Sequence, residues 1–75
     1  MATYNGFKNW TQWNVALWVN NDESLYRMAR RHCRRANRAE AARAMLAELH
    51  EMGITETPDG ARYSVSALRA AFVGL

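Results

Sequence analysis

The sequence predicts an all-α fold, a compact bundle of three or four short helices forming a single small helical domain over residues 1–75. Three observations predict it. Apolar residues recur at helical spacing through most of the chain, capping residues precede those stretches, and no segment offers a convincing strand partner. A chain this short buries only roughly 60% of the surface its unfolded form exposes, so it needs large apolar side chains or a partner to be stable.

The first helix spans about Thr11 to Asn20. Trp13, Val15, Leu17 and Val19 alternate as in a strand, while Trp10, Trp13, Leu17 and Asn20 keep helical spacing. Helix is the reading adopted, with Thr11 as the cap. Asn20, Asn21 and Asp22 then supply a stop and a new N-cap, and Glu23 suits the first turn of a second helix running to about Ala36. Its buried face draws on Leu25, Met28, Ala29, His32 and Cys33. Asn37 with Glu40 resembles a capping box, and Ala42, Met45, Leu46, Leu49 and Met52 give a third helix that stops at Gly53. Thr57-Pro58-Asp59-Gly60 is a β-turn sequence. Ser64 or Ser66 caps a last helix whose stripe is Val65, Leu68, Ala71, Phe72 and Leu75. The expected core is Trp13, Val15, Leu17, Leu25, Met45, Leu49, Leu68 and Phe72.

Charge is unevenly distributed. From Asp22 to Arg38 there are six arginines against two acids, 6 − 2 = +4, whereas Ala39 to Leu75 holds three arginines against five acids, 3 − 5 = −2. The basic character is therefore a patch. Arg27, Arg30, Arg31, Arg34, Arg35 and Arg38 recur at intervals that place them along one broad side of a helix. Like charges so spaced repel by a few tenths of a kcal/mol per pair, so helix stability does not account for them. Phosphates or an acidic protein groove are their natural partners, and arginine favours forked contacts. Trp10 and Trp18, eight residues apart and about 80° around a helix from each other, need not both fit inside a slender bundle, and an exposed tryptophan marks an interface. These eight residues are the expected partner-binding set.

Enzymatic chemistry is not expected. One cysteine excludes an internal disulfide and a cysteine-rich zinc site, adjacent His32 and Cys33 point to different helix faces, and Cys33 with His32 and His50 lacks a fourth metal ligand at motif spacing. The glycines are scattered, so there is no phosphate-cradling loop. No cofactor or metal is expected. With no signal-peptide pattern and no apolar run long enough to span a bilayer, a cytoplasmic location without membrane contact is expected.

Asn5, Gly6, Asn9, Trp10, Trp13, Val15, Leu17, Trp18, Asn21, Asp22 and Tyr26 follow the pattern N-G-x-x-N-[WY]-x-T-W-x-V-x-L-W-x-x-N-[DE]-x-x-x-Y, with Gln12 where the pattern has threonine. The segment resembles the N-terminal signature of a family of small phage-type proteins with no established activity. What this resemblance implies, joined to the arginine stripe, is an interaction protein that binds and inhibits a host macromolecule, such as a nucleic-acid-handling defence complex in the manner of an anti-CRISPR protein. The alternative is a nucleic-acid-binding accessory protein contacting phosphates through the same helix.

Overall fold

Four helices follow one another in the computed structural model, which describes residues 6–73 and residue 75: α1 (Trp10–Asn21), α2 (Glu23–Arg35), α3 (Arg38–Glu51) and α4 (Val65–Ala71). Asn5 of the N-terminal pattern lies outside the described residues. Every helix starts on a side-chain cap. Asn9 accepts from the Gln12 amide at 2.9 Å, Asp22 from Leu25 at 3.0 Å, Asn37 from Glu40 at 2.9 Å and Ser64 from Ala67 at 3.1 Å. Each bond satisfies one of the orphan N–H groups of a first turn.

The helix expected over residues 11–20 is present, and its expected cap changes. Asn9, and not Thr11, caps α1, because its extended backbone lets the carboxamide turn back onto the first helical turn. Gln12 reinforces that start, its side-chain oxygen accepting from the Lys8 amide at 3.3 Å. Segment 11–20 is helix throughout, continuing to Asn21. Asp22 alone separates α1 from α2: its amide closes α1 on the Trp18 carbonyl at 2.9 Å, while its carboxylate opens α2. Asn20 and Asn21 turn their side-chain amides back onto the Ala16 and Leu17 carbonyls of the preceding turn, each at 2.7 Å.

α1 and α3 each pack on both α2 and α4, so the helices close into a ring around one interior. The radius of gyration, 11.3 Å, matches the value of about 11 Å expected of a compact 75-residue domain. Val15, Val19, Met45, Leu49, Leu68 and Phe72 fill the interior, and buried alanines such as Ala29, Ala41 and Ala42 let the backbones approach closely. Leu25 is half-buried against this core. Leu17 is 40% exposed and Trp13 half-buried, so neither belongs to the interior as expected. Helical geometry turns Asn14, Val15, Ala16 and Val19 inward instead, and a strand-like alternation of Val15, Leu17 and Val19 loses to the helical period. After α3, Gly53 takes φ +77°, the left-handed stop. The chain then returns through a tight turn, in which the Gly60 amide donates to the Thr57 carbonyl at 2.8 Å and an isolated antiparallel bridge joins Glu56 to Arg62.

Candidate functional site

The outward side of α2 follows directly from its inward one. With Met28 and Ala29 buried and Leu25, His32 and Cys33 half-buried, the 100° step of the helix leaves Arg27, Arg30, Arg31, Arg34 and Arg35 exposed. Four of them, with Glu23 and Tyr26, line a shallow surface groove of about 420 Å³; the four are Arg27, Arg30, Arg31 and Arg34. Arg38 is not part of it. The helix ends at Arg35, Ala36 takes an extended conformation, and Arg38 becomes the first residue of α3, beside Arg69 of α4. The expected continuous stripe of six is thus five residues on one helix and one on another.

The five guanidinium groups are not equivalent. Arg27 pairs with Glu23 one turn earlier. Arg31 reaches across to α3, with Nη2 lying 2.6 and 2.7 Å from the two Glu48 carboxylate oxygens, and His32 Nε2 lies 2.7 Å from the same carboxylate. Hydrogen bonding from Arg31, then from His32, holds the Glu48 carboxyl below the usual carboxylate range. Arg31 thus ties α2 to α3, whereas the Arg27 pair lies within α2. Arg30 stands over the Tyr26 ring, 5.7 Å from its centroid. Arg34 and Arg35 form no ion pair among the described residues, so their donors face solvent. The groove's free positive charge is concentrated at Arg30 and Arg34, flanked by Arg35.

The tryptophans divide differently. Trp10 opens α1 and is 38% exposed, but it lines neither this groove nor the cleft beside α1, α2 and the 54–63 loop. Trp18 is half-buried, and its indole Nε1 donates to Asp59 Oδ2 at 2.9 Å. Asn14, 2% exposed, donates to the same oxygen at 2.9 Å and accepts from the Thr57 hydroxyl at 2.6 Å. Thr57 Oγ1 in turn accepts from the Ala61 amide at 3.0 Å. The two donors, Asn14 and then Trp18, hold the Asp59 carboxyl below its ordinary range. The tryptophan-rich segment therefore clamps the turn onto α1, and one of the two expected partner-binding tryptophans has its N–H already engaged.

Among the described residues neither Cys33 nor a serine or threonine hydroxyl is hydrogen-bonded to a histidine. Cys33 is half-buried, and burial, which disfavours the thiolate, pushes its thiol up, only partly offset by the nearby Arg38 charge. Among the described residues no three His, Cys, Asp or Glu side chains are grouped to hold a metal ion, and no helix is long and apolar enough to cross a membrane.

The sequence assigns no site role to Tyr26, which it places in the N-terminal pattern, to Asp59, which it places in the β-turn, or to Glu48. The spacing of Tyr26 to Arg30 and of Glu23 to Arg27, four residues each, carries a legible signal for the two α2 pairs. Nothing local to Glu48 or Asp59 identifies their distant partners.

Comparison with known families places this arrangement. A model of DUF7249, a family of unknown function, matches residues 1–73. The chain belongs to DUF7249. No curated protein and no solved structure matches it. For this DUF7249 chain the match embraces both the tryptophan-rich clamp and the arginine face, since residues 1–73 include all of α1 through α4.

Proposed function

We propose that the protein is a small phage-type interaction factor that binds and inhibits a negatively charged host macromolecule, and that it is not an enzyme. The observation that carries this reading is the outer face of α2: Arg30, Arg34 and Arg35 are exposed, and Arg34 and Arg35 have no ion-pair partner among the described residues. A single rigid helix presents these charges together. Such a face speeds encounter with an acidic surface and adds forked hydrogen bonds on contact. The resemblance of the N-terminal segment to phage-type proteins supports a host target, and a nucleic-acid-handling defence complex is the target class we favour. Direct phosphate contact is the second reading, supported by the Arg30 and Tyr26 pair, which sets an aromatic ring among arginines as single-strand binders do.

The test reverses Arg30, Arg34 and Arg35 to glutamate, leaving Arg31 in place because it holds Glu48. The triple variant is expected to keep its fold, since each exposed charge contributes about 1 kcal/mol or less. It is expected to lose ten-fold or more in binding to the target captured from host lysate, measured at about 0.15 M salt. Undiminished capture by the folded variant overturns the assignment of this face. Titration with single-stranded oligonucleotide separates the two readings: phosphate binding through these three arginines weakens with a log–log salt slope of roughly −2.

A further inference from the structure

A second groove, sharing no residue with the arginine face, opens between the α1–α2 corner, the end of α3 and the 54–63 loop, and has a volume of about 600 Å³. Its apolar surface comes from Trp18, Leu25, Met28, Met52 and Ile54. Its charges come from Asp22 and Glu56, and no lysine, arginine or histidine lines it, although the chain carries a net charge of +3. Tyr63 also lines it and is only 3% exposed, yet its hydroxyl makes no hydrogen bond among the described residues. Among the described residues no side-chain polar atom sealed from solvent lacks a partner, so that hydroxyl, on a residue that lines the groove, is open to solvent. Burial, and then the Asp22 charge, push the Tyr63 phenol up and keep it protonated.

These groups ask for a definite visitor. Two carboxylates and an unpartnered phenol oxygen suit N–H donors carrying positive charge, and the aromatic and thioether surfaces suit the methylenes or apolar neighbours of such a group. Met52, 57% exposed, leaves one side of the groove open. A small ligand is normally buried over about 70–90% of its surface, which an open groove does not provide, whereas a chain segment laid along it needs contact on one side only.

We infer that this groove docks a segment of a partner protein that presents an arginine or lysine beside an apolar side chain, through Asp22, Glu56, Tyr63 and the Trp18–Met28–Met52 surface. The inference is independent of the arginine face and does not require it to bind anything.

Methyl-labelled methionine and indole signals read the site directly. The probes are the peptide acetyl-Leu-Arg-Leu-Arg-Leu-amide, its glutamate counterpart acetyl-Leu-Glu-Leu-Glu-Leu-amide, and spermidine, titrated into the intact chain. The expected result is saturable shifts of the Met28 and Met52 methyls and the Trp18 indole with the arginine peptide, with Met45, which is 0% exposed, unmoved. Glu56→Gln is expected to weaken that binding about two- to five-fold, as loss of one exposed charge contact should, and Tyr63→Phe to weaken it while melting like the parent. Absence of shifts up to about 10 mM arginine peptide, weaker than any specific docking, overturns the inference. So do equal shifts with the glutamate peptide, which would make the groove merely apolar, and equal affinity for spermidine, which would make it a site for small cations.

Discussion

Asn14→Ala should be the most damaging polar substitution in the chain. Asn14 is 2% exposed and joins α1 to the turn, accepting from the Thr57 hydroxyl at 2.6 Å and donating to Asp59 at 2.9 Å. Thr57 is itself 2% exposed. Truncation at Asn14 leaves the Thr57 O–H inside the protein without an acceptor, and a buried unsatisfied group costs about 1–3 kcal/mol. For a domain of this size each kcal/mol lowers Tm by roughly 4–8 °C, so the variant should melt about 5–20 °C below the parent. The assay is thermal and urea unfolding followed by circular dichroism at neutral pH, with an unchanged urea m-value marking a stability effect and not a change in compactness. Trp18→Phe is the control: it removes only the indole bond to Asp59 and keeps an aromatic ring, so its loss should be distinctly smaller. An Asn14→Ala protein melting within about 2 °C of the parent would refute the clamp, because a lost buried bond cannot be that cheap.

Two further outcomes follow from packing and charge. Leu49→Ala, at a position 0% exposed, should cost about 2–5 kcal/mol, whereas Leu17→Ala, at a position 40% exposed, should stay within about 1 kcal/mol; equal losses in denaturant titration would contradict the placement of α1. Asp59 and Glu48 both have carboxyl values lowered in the folded state, so the stability they add is present above their ordinary values of about 3.9 and 4.3 and is lost as pH falls through the folded values. Asp59→Asn should therefore flatten the fall of Tm below about pH 5, as pH drops through the folded value, and an acid limb identical to the parent's would exclude Asp59 as a contributor.

The parts of this fold that the sequence discloses are those governed by neighbours in the chain. The caps at Asp22, Asn37 and Ser64, the stop at Gly53 and the Pro58–Gly60 turn each rest on chemistry within four residues, and the structure has all of them. The mistaken start of α1 is also local: Thr11 and Asn9 are both capping residue types, and the choice depends on Asn9 adopting an extended backbone. The core reading fails at Leu17 for a different reason. Trp13, Val15, Leu17 and Val19 fit two periods, and only the packing of α1 on α2 and α4 decides which side of the helix faces inward. The arginine face was legible because five of its residues lie on one helix, and Arg38 was misassigned because the break at Ala36 rotates the next helix away.

What the sequence could not disclose is the division of labour between the two conspicuous segments. The asparagines and tryptophan of α1 look like a ligand site when read as a string, yet Asn9 caps, Asn20 and Asn21 turn back onto carbonyls of the preceding turn, and Asn14 and Trp18 meet at a single carboxylate contributed from more than forty residues away. That carboxylate sits in a turn whose flanks, Ile54, Thr57, Pro58 and Tyr63, form one wall of the second groove. The clamp thus fixes the position of the groove wall relative to α2, and the same α2 carries the arginines on its opposite side. A substitution that loosens the clamp should disturb the groove first and the arginine face least, because α2 is held independently to α3 through Glu48. Binding measurements on the Asn14→Ala protein at a temperature well below its Tm would register this asymmetry: weakened response of the Met52 methyl to the arginine peptide, with capture through the arginine face retained.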